Sequence, residues 1–162
     1  MTPSARNLFT LGYEGLDIAA FIARAQAAGV QTVVDVRELP LSRKKGFSKT
    51  SFKDELARVG LAYFHVPALG CPRVIRDRYK ADANWAEYTC AFEAYLATQD
   101  ATVRELVKLS NSTNACLVCF EADYTMCHRT YVARAARKRG GPSVMHLNAR
   151  TAWADSGLRA VA

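Results

Sequence analysis

Short apolar runs alternate along the chain with stretches in which apolar residues recur every three or four positions. The runs have the length and the β-branched content of buried strands, and the spaced residues form the stripe of an amphipathic helix. The pattern predicts strands at residues 8–11, 30–36, 61–66, 115–120 and 143–147. It predicts helices at residues 18–25, 52–59, 85–96, 103–107 and 128–139.

Polar residues and glycines mark the limits of these elements. Asp17 is expected to cap the first helix at its start, and Gly29 is expected to end it. Residues 68–84 and 111–114 carry no apolar period, so they are predicted to be an irregular connection and a loop.

Strands separated by helices imply crossover connections between parallel strands. The sequence therefore predicts an α/β fold with a largely parallel central sheet of about five strands. Helices should cover both faces, in three layers, as in Rossmann-like or flavodoxin-like folds. Residues 1–148 are expected to form a single α/β domain, a size that can bury one core. Residues 149–162 are expected to be a C-terminal tail, either a short helix or disordered.

The composition is that of a basic globular protein. Half of the 162 residues are apolar, and no run approaches the roughly 20 apolar residues of a membrane helix. The first residues lack the layout of a secretory signal, and five irregularly spaced cysteines are typical of reduced thiols. We therefore expect a cytoplasmic protein without a membrane partner. The net charge of +7 favours anionic partners: nucleotides, phosphorylated metabolites or nucleic acid.

Polar residues follow the predicted strands, where ligands of parallel sheets bind. The residues at these strand ends include all three histidines of the chain. They are Gly12, Tyr13, Glu14, Asp35, Arg37, His65, Cys119, Glu121, Cys127, His128, Arg129 and His146.

The motifs at these positions resemble the bacterial and archaeal proteins called domain of unknown function family 488. The matching stretches are Thr10-Leu11-Gly12-Tyr13, Val34-Asp35-Val36-Arg37 with Pro40 and Ser42, Phe47-Ser48, Leu69-Gly70, Cys119-Phe120-Glu121, Cys127-His128-Arg129, and His146. They span nearly the whole chain in the family's order. The resemblance implies an α/β fold and a shared rim of polar residues, and it implies no activity.

The trio Cys127-His128-Arg129 is the sharpest chemical feature. A cysteine at the start of a helix, beside a histidine and an arginine, is favoured as a thiolate. Cys127 is then the candidate nucleophile, His128 or His65 the acid or base, and Arg129 with Arg37 the clamp for an anion. The alternative is structural: Cys127 packs as a small apolar residue, and Arg129 pairs with a carboxylate.

Two carboxylates, Asp35 and Glu121, lie at the ends of two predicted strands, and they come close together if those strands are neighbours. Each can orient a catalytic side chain or serve as a general base, or the two can belong to a buried salt bridge. The expected catalytic set is Cys127, His128, Glu121 and Asp35. The expected substrate-binding set is Arg129, Arg37, Tyr13, Gly12, His65, Ser42 and Cys119.

The cysteines also raise the question of a metal. Cys116 and Cys119 lie three residues apart in a strand and point to opposite faces, so they cannot share an ion. Cys119, Cys127 and His128 supply three zinc ligands if the loop between them folds back. The leading interpretation nevertheless has no metal. It has no cofactor either, because the chain contains neither a dinucleotide-binding glycine motif nor a phosphate-binding Walker loop.

Three functions are consistent with these features. The leading hypothesis is a small enzyme that acts on an anionic, phosphorylated or nucleotide-like substrate through the Cys-His-Arg site. The second is a non-catalytic nucleic-acid-binding module that uses the basic residues of segments 43–49 and 73–80. The third is a metal-dependent hydrolase.

Overall fold

A computed structural model describes residues 5–157 of the chain. The strands in this range are β1 (Asn7–Gly12), β2 (Thr32–Asp35), β3 (Ala62–His65), β4 (Ala115–Cys119), β5 (Ser143–Leu147) and β6 (Ala152–Ala154). They form one sheet in the order β3-β2-β4-β1-β5-β6. The first five strands pair in parallel, and β6 pairs antiparallel with β5.

Six α-helices lie within the same range. They are α1 (Ile18–Ala27), α2 (Lys49–Arg58), α3 (Arg73–Asp82), α4 (Trp85–Ala97), α5 (Asp100–Ser112) and α6 (His128–Lys138). Helices α1 and α2 pack on one face of the sheet, and α4, α5 and α6 pack on the other. This arrangement confirms the predicted α/β three-layer fold.

Successive residues of the central strands point into the two opposite cores. In β2, Val33 contacts the core under α1 and α2, and Val34 contacts the core under α4 to α6. In β4, Cys116 contacts the core under α1 and α2, and Leu117 contacts the core under α4 to α6. A strand covered on both faces is apolar at most positions, which is why these runs were identifiable in the sequence.

The ends of α1 follow the sequence signals. Asp17 is the N-cap residue, and its carboxylate accepts a hydrogen bond from the Ala20 backbone N–H at 2.7 Å. Gly29 has a φ of 83° directly after the cap residue Ala28, a left-handed conformation that glycine adopts without strain.

Helix α3 corrects the prediction of an irregular connection over residues 68–84. None of its residues is fully buried, and only Ile75 and Tyr79 pack against the core, so the apolar stripe by which helices are recognised in a sequence is short. Ion pairs of Arg73 with Asp77 and of Arg78 with Asp82 and Glu87 lie along its outer surface. Pairs four residues apart on one helix face stabilise it by a few tenths of a kcal/mol each. The predicted loop at residues 111–114 is also shorter, because α5 continues to Ser112.

Strand β6 corrects the expectation for the tail and raises the number of strands from about five to six. Residues 152–154 are neither helical nor disordered, because they extend the sheet at β5. Asp155, which follows β6, accepts hydrogen bonds from the Arg134 guanidinium at 3.0 Å and from His146 Nε2 at 2.9 Å. These buried polar contacts attach the strand to the rest of the fold. The tail beyond residue 157 lies outside the described residues.

This attachment predicts a loss of stability in mild acid. Burial lowers the pKa of His146 below its ordinary value of 6.5, although Asp155 opposes the shift. Burial raises the pKa of Asp155, but hydrogen bonds from Arg134 and His146 outweigh it and bring the pKa below 3.8. In both cases the unfolded chain binds the proton first as the pH falls.

The free energy of unfolding is therefore expected to decrease below about pH 6.5 because of His146, and to decrease again below about pH 3.8 because of Asp155. Urea denaturation at a series of pH values measures it. The variant His146→Gln retains a donor toward Asp155 without titrating, so its stability should depend less on pH in the first range. An identical pH dependence in wild type and variant would contradict the assignment.

Candidate functional site

A pocket of about 510 Å³ opens at the carboxyl ends of β1, β2 and β4. Its walls combine charged, aromatic and sulfur-containing side chains. The lining residues are Tyr13, Arg37, Glu38, Leu39, Leu41, Ser42, Cys71, Arg76, Tyr79, Lys80, Trp85, Tyr88, Cys119, Phe120, Glu121, Met126 and His128. Six of them belong to the sets expected from the sequence, and their convergence at one edge follows from the parallel strands.

Asp35 and Arg37 form a buried ion pair in one wall of this pocket. Arg37 Nε and Nη2 donate to the two oxygens of Asp35 at 2.8 and 2.7 Å. The Tyr63 hydroxyl donates to the same carboxylate at 2.6 Å, and burial together with this hydrogen bond raises the pKa of Tyr63. Burial alone would lower the pKa of Arg37, but Asp35 outweighs it and keeps the guanidinium charged. Asp35 is completely buried beneath Arg37, which lines the pocket.

Four side chains, Cys119, Glu121, Cys127 and His128, form what we call the thiol cluster. Three of them line the pocket, and Cys127 is buried against Glu121 and His128. The sulfur atoms of Cys119 and Cys127 lie 3.3 and 3.4 Å from the same carboxylate oxygen, Oε2 of Glu121. Burial raises the pKa of Cys119 well above its usual range, with Cys127 adding to the shift. Cys119 is therefore a neutral thiol that donates to Glu121.

The ring of His128 is held in one orientation. Its Nε2 donates to the backbone carbonyl of Val36 at 2.8 Å, because a carbonyl oxygen accepts only. In the neutral imidazole the lone pair is then on Nδ1, which lies 3.8 Å from the Cys127 sulfur. Cys127 itself is the N-cap residue of α6, so the partial positive charge of that helix end lies beside its sulfur.

Arg129 lies below the thiol cluster and does not line the pocket. Its side chain is completely buried, and Nη1 donates to the Cys119 sulfur at 3.1 Å and to the backbone oxygen of Glu121. Within residues 5–157 it forms no ion pair with a carboxylate, and its Nε has no hydrogen-bond partner. Burial would lower the pKa of Arg129, but Cys119 and Cys127 outweigh it and raise the pKa. This placement supports the cluster from behind and leaves Arg129 without access to an anion in the pocket.

Gly12 shapes the site through its backbone. A Cβ atom at this position would lie 1.7 Å from the carbonyl oxygen of Glu121, which is closer than any non-bonded contact. The chain after β1 follows the chain after β4, with Tyr13 N donating to Cys119 O at 3.1 Å and Glu14 N donating to Phe120 O at 2.8 Å. The absent side chain therefore allows the strand ends to bring the thiol cluster together.

Of the other expected site residues, some line the pocket and others lie outside it. Tyr13 and Ser42 line the pocket. His65 Nε2 donates to the backbone oxygen of Arg37 at 2.8 Å and supports the wall from outside. His146 lies elsewhere, between Thr10 and Asp155, so the three histidines do not share one rim.

The sequence profile described as domain of unknown function DUF488 matches residues 17–136. The chain belongs to this family. The matched range contains the whole thiol cluster, Asp35 and Arg37, whereas Gly12 and Tyr13 precede it. No curated protein and no solved structure is similar enough to be matched. Among the described residues of this DUF488 chain, no helix is both long and apolar enough to cross a membrane.

Helix α3 supplies pocket residues of the DUF488 chain that the sequence analysis did not place there. Arg76 and Lys80, four residues apart, face the pocket with Tyr79 between them. Arg76 lies 3.5 Å from Glu38, and Lys80 forms no ion pair with any residue in the described range. The four-residue spacing of Arg76 and Lys80 was visible in the sequence. It places the two side chains on one face only if the segment is helical, and no helix was predicted there.

Exposed apolar side chains surround the mouth of the pocket. Leu39 and Leu41 are 61% and 68% exposed, and Phe120 and Met126 are 47% and 37% exposed. All four are lining residues. An apolar rim above a charged interior is suited to a ligand with an apolar part and an anionic part.

The basic segment 43–49 of the DUF488 chain contributes little to such a surface. Phe47 is completely buried and stacks on Tyr13 with ring centroids 4.4 Å apart. Lys44 is directed to the backbone oxygen of Tyr13 at 3.1 Å. Phe47, the aromatic residue of this segment, is therefore part of the core and is not available to stack on a nucleobase.

Proposed function

We propose that this DUF488 chain is a small enzyme that acts on an anionic substrate with an apolar part, and that Cys127 is its nucleophile. The single observation that carries the proposal is the orientation of His128. The Val36 carbonyl accepts from Nε2–H, so in the neutral imidazole the lone pair is on Nδ1, which lies 3.8 Å from the Cys127 sulfur. A base held beside a thiol is the arrangement of nucleophilic catalysis.

The reaction follows from these two groups. The Cys127 thiol transfers its proton to His128 Nδ1, and the sulfur attacks the electrophilic centre of the substrate. The leaving group departs with the proton that His128 returns. Water then adds to the covalent thio-adduct with His128 as base, which releases the second product and restores the thiol.

The charge of the pocket supports an anionic substrate. Lys80 has no ionic partner among residues 5–157, and Arg76 is only loosely paired with Glu38 at 3.5 Å. Arg37 is committed to Asp35. We therefore assign attraction of the anion to Lys80 and Arg76 of α3, and a supporting role to Arg37 and Arg129.

Alkylation of metal-free protein with two reagents tests the proposal. Iodoacetate and iodoacetamide carry the same reactive carbon, but only iodoacetate is anionic. Peptide mapping by mass spectrometry should show Cys127 modified faster than the exposed Cys90, with a larger preference for iodoacetate at Cys127. The variant Lys80→Ala should reduce the iodoacetate rate, on the order of tenfold at most, and leave the iodoacetamide rate unchanged.

Matched variants separate the roles. Arg73→Ala removes a cation from the outer face of the same helix and should change neither rate. His128→Gln keeps a hydrogen-bond donor for the Val36 carbonyl but removes the base, so it should lower the alkylation rate of Cys127 with both reagents. The nucleophile is ruled out if Cys127 reacts no faster than Cys90 with either reagent.

A further inference from the structure

The thiol cluster has the ligands and the geometry of a metal site. The sulfur atoms of Cys119 and Cys127 and a ring nitrogen of His128 all lie within 4.8 Å of one another, and all three residues are buried. Two thiolates and an imidazole are ligands of many protein zinc sites, whereas Mg²⁺ and Ca²⁺ prefer oxygen ligands. We propose that Cys119, Cys127 and His128 bind one Zn²⁺ ion and that Glu121 supplies the fourth ligand.

Three of the ligand-to-ligand distances fit a tetrahedral zinc ion, and the carboxylate of Glu121 must turn toward His128 to complete the coordination. Zn–S bonds of about 2.3 Å and Zn–N or Zn–O bonds of about 2.0–2.2 Å place tetrahedral ligand atoms about 3.5–3.8 Å apart. Here Cys127 Sγ lies 3.8 Å from His128 Nδ1 and 3.4 Å from Glu121 Oε2. Cys119 Sγ lies 3.3 Å from the same carboxylate oxygen. These three edges are those of a zinc-sized tetrahedron to within a few tenths of an ångström.

The surroundings orient the ligands as they do in zinc proteins. A histidine ligand donates its second ring N–H to a carbonyl or carboxylate, which fixes the tautomer and the ring plane. The Val36 carbonyl accepts that hydrogen from Nε2 at 2.8 Å, which leaves Nδ1, 3.8 Å from the Cys127 sulfur, as the ring atom that can bind the metal. Arg129 Nη1 donates to Cys119 Sγ at 3.1 Å, the kind of outer contact that a thiolate ligand receives.

Arg129 provides an independent argument from charge. It is completely buried and has no carboxylate partner in the described part of the chain, although a buried cation is costly without a counter-charge. Zinc bound by two thiolates, one carboxylate and a neutral imidazole carries a net charge of −1. The charge of Arg129 then balances that of the metal centre.

An ion can reach this centre from the pocket. Cys119, Glu121 and His128 line it, and Glu121, the fourth ligand, is exposed at that side. A substrate that displaces Glu121 would meet the metal directly. The metal site does not depend on the proposed nucleophile, but both use the sulfur of Cys127, so the zinc-loaded and the zinc-free chain are chemically different states.

Zinc titration of the full chain tests the proposal. Reduced, metal-free protein should take one equivalent of Zn²⁺ from a chromophoric indicator. Co²⁺ in its place should give tetrahedral d–d absorption with charge-transfer bands for two thiolates. Cys119→Ser and Cys127→Ser should each weaken zinc binding by more than about 100-fold, since loss of an outer-shell partner alone costs about 10- to 100-fold. Cys90→Ser, at an exposed cysteine outside the cluster, should bind as wild type does.

Two results overturn the metal site: no stoichiometric Zn²⁺ or Co²⁺ binding by folded wild-type protein, or unchanged binding in the double variant Cys119→Ser/Cys127→Ser. The cobalt spectrum of wild type needs no variant, so a misfolded variant leaves the test intact. Alkylation distinguishes the two proposals. Metal-free protein that reacts fast at Cys127 but binds no zinc refutes the metal site alone, and protein that binds zinc but has an inert Cys127 when metal-free refutes the nucleophile alone.

Discussion

Replacing Gly12 with alanine is expected to reduce the free energy of unfolding by about 3 kcal/mol or more, the upper part of the range for overpacked interiors. The added Cβ would lie 1.7 Å from the backbone oxygen of Glu121. Neither backbone can move freely, because Gly12 is in register with Cys119 in the sheet and the Glu121 oxygen accepts a hydrogen bond from buried Arg129. Any protein that still folds must displace the thiol cluster.

The matched control is Gly60→Ala. Gly60 has a φ of 76°, and a Cβ there would meet nothing within 4 Å, so the substitution adds only the strain of a left-handed alanine, about 1–2 kcal/mol. Urea denaturation followed by circular dichroism compares the two variants, and alkylation of Cys127 reports on the site. If both variants lose the same free energy of unfolding, the close approach of the strand ends is not what requires glycine at position 12.

Replacing Asp35 with asparagine should destabilise the fold by about 3–5 kcal/mol, the range for breaking one side of a buried ion pair. Asparagine has nearly the same volume, so packing is preserved. It leaves the buried guanidinium of Arg37 without its charge partner, and the Tyr63 hydroxyl without a carboxylate acceptor. The rate of Cys127 alkylation per folded molecule should not change, because Asp35 touches neither Cys127 nor His128 in the structure.

Two further variants isolate the cause. In Asp35→Asn/Arg37→Met the unpaired cation is removed as well, so part of the stability should return. Asp77→Asn breaks an exposed ion pair on α3 and should have little effect. Stability equal to wild type in Asp35→Asn would restore the interpretation of Asp35 as a catalytic carboxylate rather than a structural one.

Sequence position identified the edge of the sheet at which the candidate residues lie, but not the direction of their side chains. Tyr13, Arg37 and His128 follow or face strand ends as expected and do line the pocket. Arg129 follows the same rule in sequence, yet it turns inward to Cys119 and the backbone beyond it. Direction depends on the backbone dihedrals of the loop at 120–127, and loops carry no hydrophobic period from which those can be inferred.

Helix α3 shows that the sequence pattern also fails to predict some secondary-structure elements. Its four basic residues were visible in the sequence as one cluster. The helix divides them: Arg76 and Lys80 face the pocket, and Arg73 and Arg78 pair with acidic residues outside. Only Ile75 and Tyr79 of α3 pack against the core, and so short an apolar stripe did not reveal in the sequence which residues share a face.

The amino-acid sequence by itself determined the three-layer α/β architecture, because strands buried on both faces and helices buried on one must repeat their apolar residues with periods that are visible along the chain. It also determined the edge of the sheet that carries the polar residues. Only the tertiary structure decided that Cys119, Cys127 and His128 converge with Glu121 against the two sulfurs, while Asp35 and Arg129 stay buried. That convergence depends on the close backbone contact at Gly12 and on hydrogen bonds between segments far apart in the chain, and no local pattern of residues encodes such contacts.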